Sequence, residues 1–287
     1  MGFLKSLKFY AKSFVFGLLI IVCALYGVVA GVLLRLVGKE EYAQYTVARA
    51  FYHSFSKLLG VKITIKNAHY LQTKPSVVIS NHQSALDILV LGKIFQPGYT
   101  VTAKKALQYV PFLGWFMLAL GTFFLDRAKG EKARKVLQTA LVGLKTKKRS
   151  IFMFPEGTRL ASQKLELLPF KKGAFHLAQQ AGIPVVPVAV SNYSTIFHSK
   201  SRTFNQGEII IEVLEPMLTA ELKTSEDVSQ FSEEVRTRLS QKVESIGYAP
   251  VKGQQQEHVD DEDDQPDNVL EVSVEIVDES TPLISAD

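Results

Sequence analysis

The sequence predicts an α/β protein: a largely parallel sheet flanked by helices, carried on an N-terminal helical membrane anchor. Three observations predict it. From Val61 onward, short β-branched runs alternate with stretches of helical period, the pattern of strands joined by helical crossovers. Before that alternation lie 21 uncharged positions, 14–34, long enough to span a bilayer as a helix. Beyond residue 250 the chain carries 12 acidic side chains against 1 basic one, with few aromatics, the composition of a disordered tail. The chain therefore divides into anchoring helices over 1–60, an α/β domain over 61–248 and an acidic tail over 249–287.

Taken in order, Lys5, Lys8 and Lys12 precede the apolar run and favour a cytosolic N-terminus. The run is too long for a signal-peptide core and has no clear cleavage site, so it is read as retained. A single full crossing would put everything downstream on the far side of the membrane. A second helix is expected over 42–59, where Arg49, His53 and Lys57 recur every four residues as a basic stripe. That stripe suits an anionic membrane surface or, equally, an ordinary solvated face.

Strands are expected near 61–66, 76–80, 99–102, 122–125, 150–154, 185–190 and 208–214. Helices are expected near 84–95, 104–120, 130–146, 170–182 and 225–247. Residues 106–125 are also 20 positions without charge, but Pro111 and Gly114 interrupt them, which favours a buried or membrane-abutting helix over a second span. Ile183-Pro184-Val185-Val186-Pro187-Val188 places prolines at both ends of an apolar run, so this strand is expected at the sheet edge or at a bulge.

Composition narrows the partners. Residues 1–250 carry a net charge of +16 and the tail −11, so the body suits phospholipid headgroups or an anionic substrate. No nucleic-acid-binding signature is present, and the apolar N-terminus argues for lipid. Cys23 is the single cysteine, which excludes an intrachain disulfide and a thiolate metal cluster.

Four segments carry chemistry. In Asn81-His82-Gln83-Ser84-Ala85-Leu86-Asp87, His82 can accept a proton while Asp87 binds its other ring nitrogen. Within one continuous helix five residues subtend about 500°, leaving the side chains about 140° apart. The pair meets only if His82 lies in the loop before the helix and Asp87 in its first turn. Ser84-x-x-Asp87 also reads as a helix cap with Ser84 at the N-cap, and spacing leaves both readings open. In Phe154-Pro155-Glu156-Gly157-Thr158-Arg159, Gly157 permits a backbone that gathers N–H groups around an anion, and Arg159 adds a phosphate-gripping fork; a strand-ending turn with a surface ion pair is the plain alternative. Gly121 to Arg127 ends another strand in a second arginine, unless Asp126 and Arg127 simply start a helix. Lys171 and Lys172 either attract phosphate or begin a solvated helix.

Together these segments resemble the glycerolipid acyltransferase family, in particular the fungal 1-acyl-glycerol-3-phosphate acyltransferases. Asn81, His82 and Asp87 match its N-H-x4-D block, Phe124 to Arg127 its F-[IL]-D-R, Phe154 to Arg159 its F-P-E-G-T-R, and Ile183 to Val188 its I-P-[VI]-[VI]-P-V run. Leu160 departs from the serine many members carry there. The resemblance covers roughly residues 10–245. It implies transfer of an acyl chain from acyl-CoA to the sn-2 hydroxyl of lysophosphatidic acid, giving phosphatidic acid for phospholipid and triacylglycerol synthesis. His82 is then the general base and Asp87 its orienting carboxylate. Lys104, Phe124, Arg127, Glu156, Gly157, Thr158, Arg159 and Pro187 bind substrate, with Arg127, Glu156, Gly157 and Arg159 on the glycerol phosphate and Pro187 shaping the pocket.

No metal or cofactor is implied, acyl-CoA being a co-substrate, and no acyl-enzyme is needed, in keeping with the absence of a G-x-S-x-G elbow. The resemblance also implies the endoplasmic reticulum membrane, with lipid droplets or another endomembrane as alternatives. A cytosolic catalytic domain requires 14–34 and 42–59 to form an anchoring pair, with the first helix re-entrant or its lysines lumenal. Asn192-Tyr193-Ser194 is a glycosylation sequon, and a glycan on Asn192 would place the domain in the lumen instead. Alternative readings are another acceptor, such as glycerol-3-phosphate or a different lysophospholipid. A non-catalytic trafficking protein is also conceivable, its adaptor signal the dileucine-like Glu279, Leu283 and Ile284.

Overall fold

The computed structural model describes residues 2–111, 113–120, 122–125, 136, 146 and 148–253. Arg127, nearly all of the helix expected over 130–146, and Glu279, Leu283 and Ile284 lie outside these residues.

Two helices come first, α1 (Gly2–Leu36) and α2 (Ala43–Leu59). Then follow β1 (Val61–Lys66), β2 (Val77–Ser80), α3 (Asp87–Ile94), β3 (Tyr99–Lys104), α4 (Leu113–Ala119), β4 (Phe123–Leu125) and β5 (Ser150–Met153). After these come α5 (Gly173–Ala181), β6 (Val185–Val190), a small hairpin of β7 (Phe197–His198) and β8 (Thr203–Phe204), β9 (Gly207–Val213) and α6 (Ser225–Ile246). The seven-stranded sheet runs in the order β1-β9-β6-β2-β5-β3-β4. Every neighbouring pair is parallel except β6 with β9, so the expected α/β fold with a largely parallel sheet is present.

The strand sequences explain their places. All four residues of β2, all four of β5 and all six of β6 are buried, as continuous apolar strands covered on both faces must be. The outer strands β1 and β9 instead alternate, buried with mostly exposed positions in β1 and buried with half-buried ones in β9. In β2, Val78 points into a core shared with α1, α2 and α3, while Val77 and Ile79 point into a second core under α5 and α6. The sheet is thus the middle of three layers. Three central strands, β6, β2 and β5, end side by side in the same direction, at Val190, Ser80 and Met153.

Several boundaries differ from the sequence reading, each for a local reason. The helix expected over 104–120 is interrupted: β3 continues to Lys104, a 3₁₀ turn covers Lys105–Tyr109, and α4 begins only at Leu113. Pro111 drives Val110 into extended conformation, ψ 121°, which no α-helix accommodates. The strand containing Pro187 is not at the sheet edge; it lies between β9 and β2. Its ladder to β9 is nonetheless broken there: Val188 pairs with Val213, and the next pairing back is Val185 with Met217. Between these pairings two residues, Val186 and Pro187, oppose three, 214–216, a bulge of the kind that accommodates a proline without an N–H.

The basic stripe of α2 is divided. His53 and Lys57 are exposed, but Arg49 donates to the carbonyls of Lys93 and Phe95 at 2.7 and 3.4 Å, serving the otherwise unbonded carbonyls at the end of α3.

Helix α1 is one unbroken helix of 35 residues, apolar enough to cross a membrane. One face is held against the domain along most of its length. Phe9 stacks on Phe197 at 6.0 Å, Lys12 donates to the Phe204 carbonyl at 3.0 Å, Phe16 meets Phe55 edge-on at 5.4 Å, and Gly31 abuts Leu120. The opposite face exposes Phe3, Leu4, Leu7, Phe14, Val29, Leu33 and Leu36.

Helices α2 and α3 approach each other at Gly92, where a Cβ would lie 2.8 Å from the Ala48 carbonyl oxygen and 3.0 Å from the Tyr52 Cβ. Gly92→Val is expected to lower stability by about 1–3 kcal/mol through overpacking. Thermal unfolding of the detergent-solubilised protein measures this, and an unaltered midpoint would refute the close contact.

Candidate active site

His82 lies in the loop that leaves β2, and Asp87 is the first residue of α3. That is the arrangement the pair needs: His82 Nδ1 and Asp87 Oδ2 are 2.7 Å apart. The capping pattern is half present. Asp87 Oδ2 accepts the backbone N–H groups of Gln83 and Ser84 at 2.9 and 3.0 Å. Ser84 Oγ, however, accepts from Leu86 N and not from Asp87, so the expected N-cap does not form and the helix starts later than 84. Both alternatives raised by the spacing therefore coexist at Asp87. Because a carboxylate only accepts, Nδ1 of the imidazole carries the proton and Nε2 keeps the lone pair.

Asp87 is only 3% exposed, and its other oxygen is also bonded. Tyr193, beyond the end of β6, donates its hydroxyl to Asp87 Oδ1 at 2.6 Å. Burial, with the Asp87 charge beside it, holds the Tyr193 phenol well above its ordinary range, so it stays a donor. Sequence reasoning singled out Asn192-Tyr193-Ser194 only as a sequon. The available signal was its position, two to four residues past the end of a strand adjacent to β2.

The sequon itself is corrected by burial. Asn192 is 5% exposed and donates its amide to the carbonyls of Ser162 and Lys164 at 3.3 and 2.8 Å. A glycan there is incompatible with the folded domain, so it does not report on which side of a membrane the domain lies.

The neighbouring strands fix His82 from every other direction. Asn81 mimics a ladder partner for β6, donating to the Val190 carbonyl at 2.9 Å and accepting from Val190 N at 3.0 Å. Gln83 donates to the Ser191 carbonyl at 2.9 Å and accepts from Tyr193 N at 3.1 Å. From the β5 side, the Phe154 ring stacks on the imidazole, centroids 3.9 Å apart and planes 13° from parallel. Leu160 N donates to the His82 carbonyl at 2.8 Å.

Glu156 closes this frame. Its Oε1 accepts the backbone N–H of His82 at 2.7 Å and its Oε2 that of Leu168 at 3.0 Å. Both oxygens face the protein backbone. Burial pushes its carboxyl up to about 7; the Asp87 charge adds to that, while the two N–H bonds and Arg236 oppose it.

The other expected substrate contacts fall in three places. Gly157 follows directly, with φ 70°, and the Lys171 side chain crosses so close that a Cβ at Gly157 would meet its Cδ at 2.8 Å. Thr158 and Arg159 beyond it are exposed. Lys172 precedes α5 and bonds Ser229 at 2.6 Å, the solvated-helix alternative raised for it. Lys104 is exposed at the end of β3, and Phe124 pairs with Ala103 in the edge strand β4. Strand β3 stands two strands from β2, about 10 Å away. Pro187 sits inside the sheet, level with Ile79, below the loops that surround His82.

A family model described as Acyltransferase matches residues 62–191. The chain is 46% identical over 250 residues to a 1-acyl-sn-glycerol-3-phosphate acyltransferase of Saccharomyces cerevisiae, an alignment covering 87% of this chain and 82% of that one. It is 41% identical over 252 residues to an uncharacterized acyltransferase of Schizosaccharomyces pombe, covering 87% and 90%. Among solved structures, the crystal structure of the 1-acyl-sn-glycerophosphate acyltransferase PlsC from Thermotoga maritima has the same fold, with a TM-score of 0.65 at 24% identity over 85% of this chain and 96% of that one.

Glu156 makes stability depend on pH. Its folded value lies above the ordinary 4.5, so the folded state holds the proton more tightly. This contribution is fully present below pH about 4.5 and is lost as pH rises through about 7. The unfolding free energy of the wild type, followed by denaturant titration at each pH, is expected to decline across that window by an amount on the order of 3 kcal/mol. In Glu156→Gln this part of the decline vanishes; a variant with the same pH dependence as wild type would refute the assignment.

Proposed function

The chain belongs to the acyltransferase family and is an O-acyltransferase, and from that premise we propose that it acylates the sn-2 hydroxyl of 1-acyl-glycerol-3-phosphate from acyl-CoA, giving phosphatidic acid. The observation that carries this reading is the 2.7 Å bond between His82 and a buried Asp87 at a strand end, with an anion-suited loop one strand away. His82 Nε2 takes the proton of the acceptor hydroxyl, and Asp87 holds the resulting imidazolium. The hydroxyl oxygen attacks the thioester carbonyl, the carbon–sulfur bond breaks, and the departing thiolate recovers the proton from His82.

The acceptor is proposed from the activity for which the relatives are named and from the loop after β5. Gly157, Arg159 and the neighbouring Lys171 present a left-handed turn and two cations where a glycerol phosphate can bind. Thr158, Lys104, Phe124 and Arg127 are assigned to the same substrate by resemblance. Glu156 acts here through the backbone of His82, whose N–H it accepts, rather than on the phosphate. An apolar cavity of about 150 Å³ between α1, α2 and α3, lined by Cys23, Ala24, Val47, Phe51, Ile88 and Leu91, supports a lipid substrate: Ile88 and Leu91 lie within a turn or so of Asp87.

Helix α1 associates the protein with a membrane. The endoplasmic reticulum and a cytosol-facing site belong to the same proposal, supported by the proposed use of acyl-CoA, a cytosolic metabolite.

His82→Ala is expected to reduce turnover by about 10²–10⁴-fold in purified protein. Activity within a few-fold of wild type would remove this mechanism. Arg159→Ala is expected to raise KM for lysophosphatidic acid about tenfold or more with little change in kcat. An unchanged KM would reject its phosphate role. Assayed with one acyl-CoA, lysophosphatidic acid is expected to outperform glycerol-3-phosphate and other lysophospholipids; preference for either would replace the acceptor.

A further inference from the structure

We propose that Tyr193 is a positioning residue of the acyl-transfer site, its hydroxyl fixing Asp87 and, through Asp87, the ring of His82. The proposal rests on the reading of His82 as the base.

The two oxygens of Asp87 are held differently. Oδ2 receives three donors, His82 Nδ1, Gln83 N and Ser84 N, all within five residues of Asp87 in the chain. These donors are all local to Asp87, so none of them ties the carboxylate itself to a distant part of the chain. Oδ1 receives Tyr193, 106 residues away, which anchors the carboxylate to β6. Tyr193 is itself fixed independently of Asp87. It is 1% exposed, its N–H bonds Gln83 Oε1 at 3.1 Å, and its carbonyl accepts from Ile196 N and Phe197 N at 2.9 and 2.8 Å.

Proton counting gives the arrangement a direction. The Tyr193 hydroxyl has one proton, and a carboxylate has none to return, so that proton lies on the Asp87 side. Ser84 Oγ, 3.1 Å from the Tyr193 oxygen, must then donate to it while accepting from Leu86 N. The order is Ser84 to Tyr193 to Asp87, met from the other side by His82. Four donors end on the one carboxylate, His82 Nδ1, Gln83 N, Ser84 N and the Tyr193 hydroxyl.

The consequence is chemical as well as geometric. A hydroxyl on Oδ1 draws charge from the carboxylate. When His82 takes the acceptor proton, the proton therefore stays on the imidazole, from which the departing thiolate must recover it, and does not pass to Asp87. Without that hydroxyl, Asp87 is a stronger partner for the imidazolium, and the ring charges more readily.

The test is Tyr193→Phe in the full chain, which keeps the buried ring. Its kcat is expected to fall about tenfold, the size of one hydrogen bond to a charged group, with KM for both substrates nearly unchanged. The acid limb of the kcat/KM profile is expected to move to higher pH. Introduced into Asp87→Asn, Tyr193→Phe is expected to cause no further loss. Replacing Tyr193 with 3-fluorotyrosine keeps both ring and hydroxyl but strengthens the donor, and is expected to move the acid limb to lower pH. Equal fractional losses in the wild-type and Asp87→Asn backgrounds, or an acid limb that neither substitution moves, would overturn the proposal. If His82→Ala retained activity, the base reading itself would fail; if His82→Ala were inactive and Tyr193→Phe indistinguishable from wild type, only the role of Tyr193 would.

Discussion

A carboxylate taken out of water must be surrounded by donors, and two such groups, Asp87 and Glu156, organise the loop that carries His82. Asp87 binds the backbone N–H groups of residues 83 and 84, and Glu156 binds that of residue 82. Three consecutive amides of one turn are thereby committed to two buried acids. The turn cannot rearrange without leaving a charge unpaired in the interior, a penalty far above that of an ordinary loop motion. His82 and Asp87 are held precisely because the backbone between them is bound by the same carboxylate and by a second one behind it.

The sheet explains why these donors can converge. Strands β6, β2 and β5 are adjacent and parallel, so their carboxyl ends open on one side. Each contributes a different element: β2 the histidine loop, β5 the Phe154 ring and Glu156, β6 the carbonyls that hold Asn81 and Gln83 and the segment that delivers Tyr193. The bulge at Pro187 belongs to this arrangement. Where the β6–β9 ladder resumes, past Val188, it carries through to Ser191, whose hydroxyl accepts Ile210 N at 3.1 Å and whose own N–H bonds the Ile210 carbonyl at 2.9 Å. The end of β6 is therefore pinned just before Tyr193.

Much of this was legible in the residues because it depends on local pattern. Alternating strands and helices marked the fold class, and a five-residue spacing stated the condition under which His82 and Asp87 could meet. What escaped the sequence was long-range or competitive. Nothing near Tyr193 indicates an acid 106 positions earlier, and only the adjacency of β6 to β2 connects them. Arg49 read as part of a surface stripe because helical period cannot reveal the carbonyls of Lys93 and Phe95 on a neighbouring helix. Glu156 matched a substrate-binding block, whereas its oxygens are occupied by backbone amides, a distinction that residue identity does not carry. Ser84 had the sequence of a cap, but its hydroxyl accepts Leu86 N and the helix begins only at Asp87.

Helix α1 shows how packing reinterprets an apolar run. The domain contacts it from Phe9 to Gly31, a rise of about 33 Å at 1.5 Å per residue. That is comparable to the whole hydrocarbon thickness of a bilayer. Were α1 to stand upright across a membrane, the domain packed along it would have to be submerged to the same depth, carrying its charged surface with it. A helix lying along the membrane surface, apolar face down, avoids that penalty and keeps the domain on the side from which α1 enters.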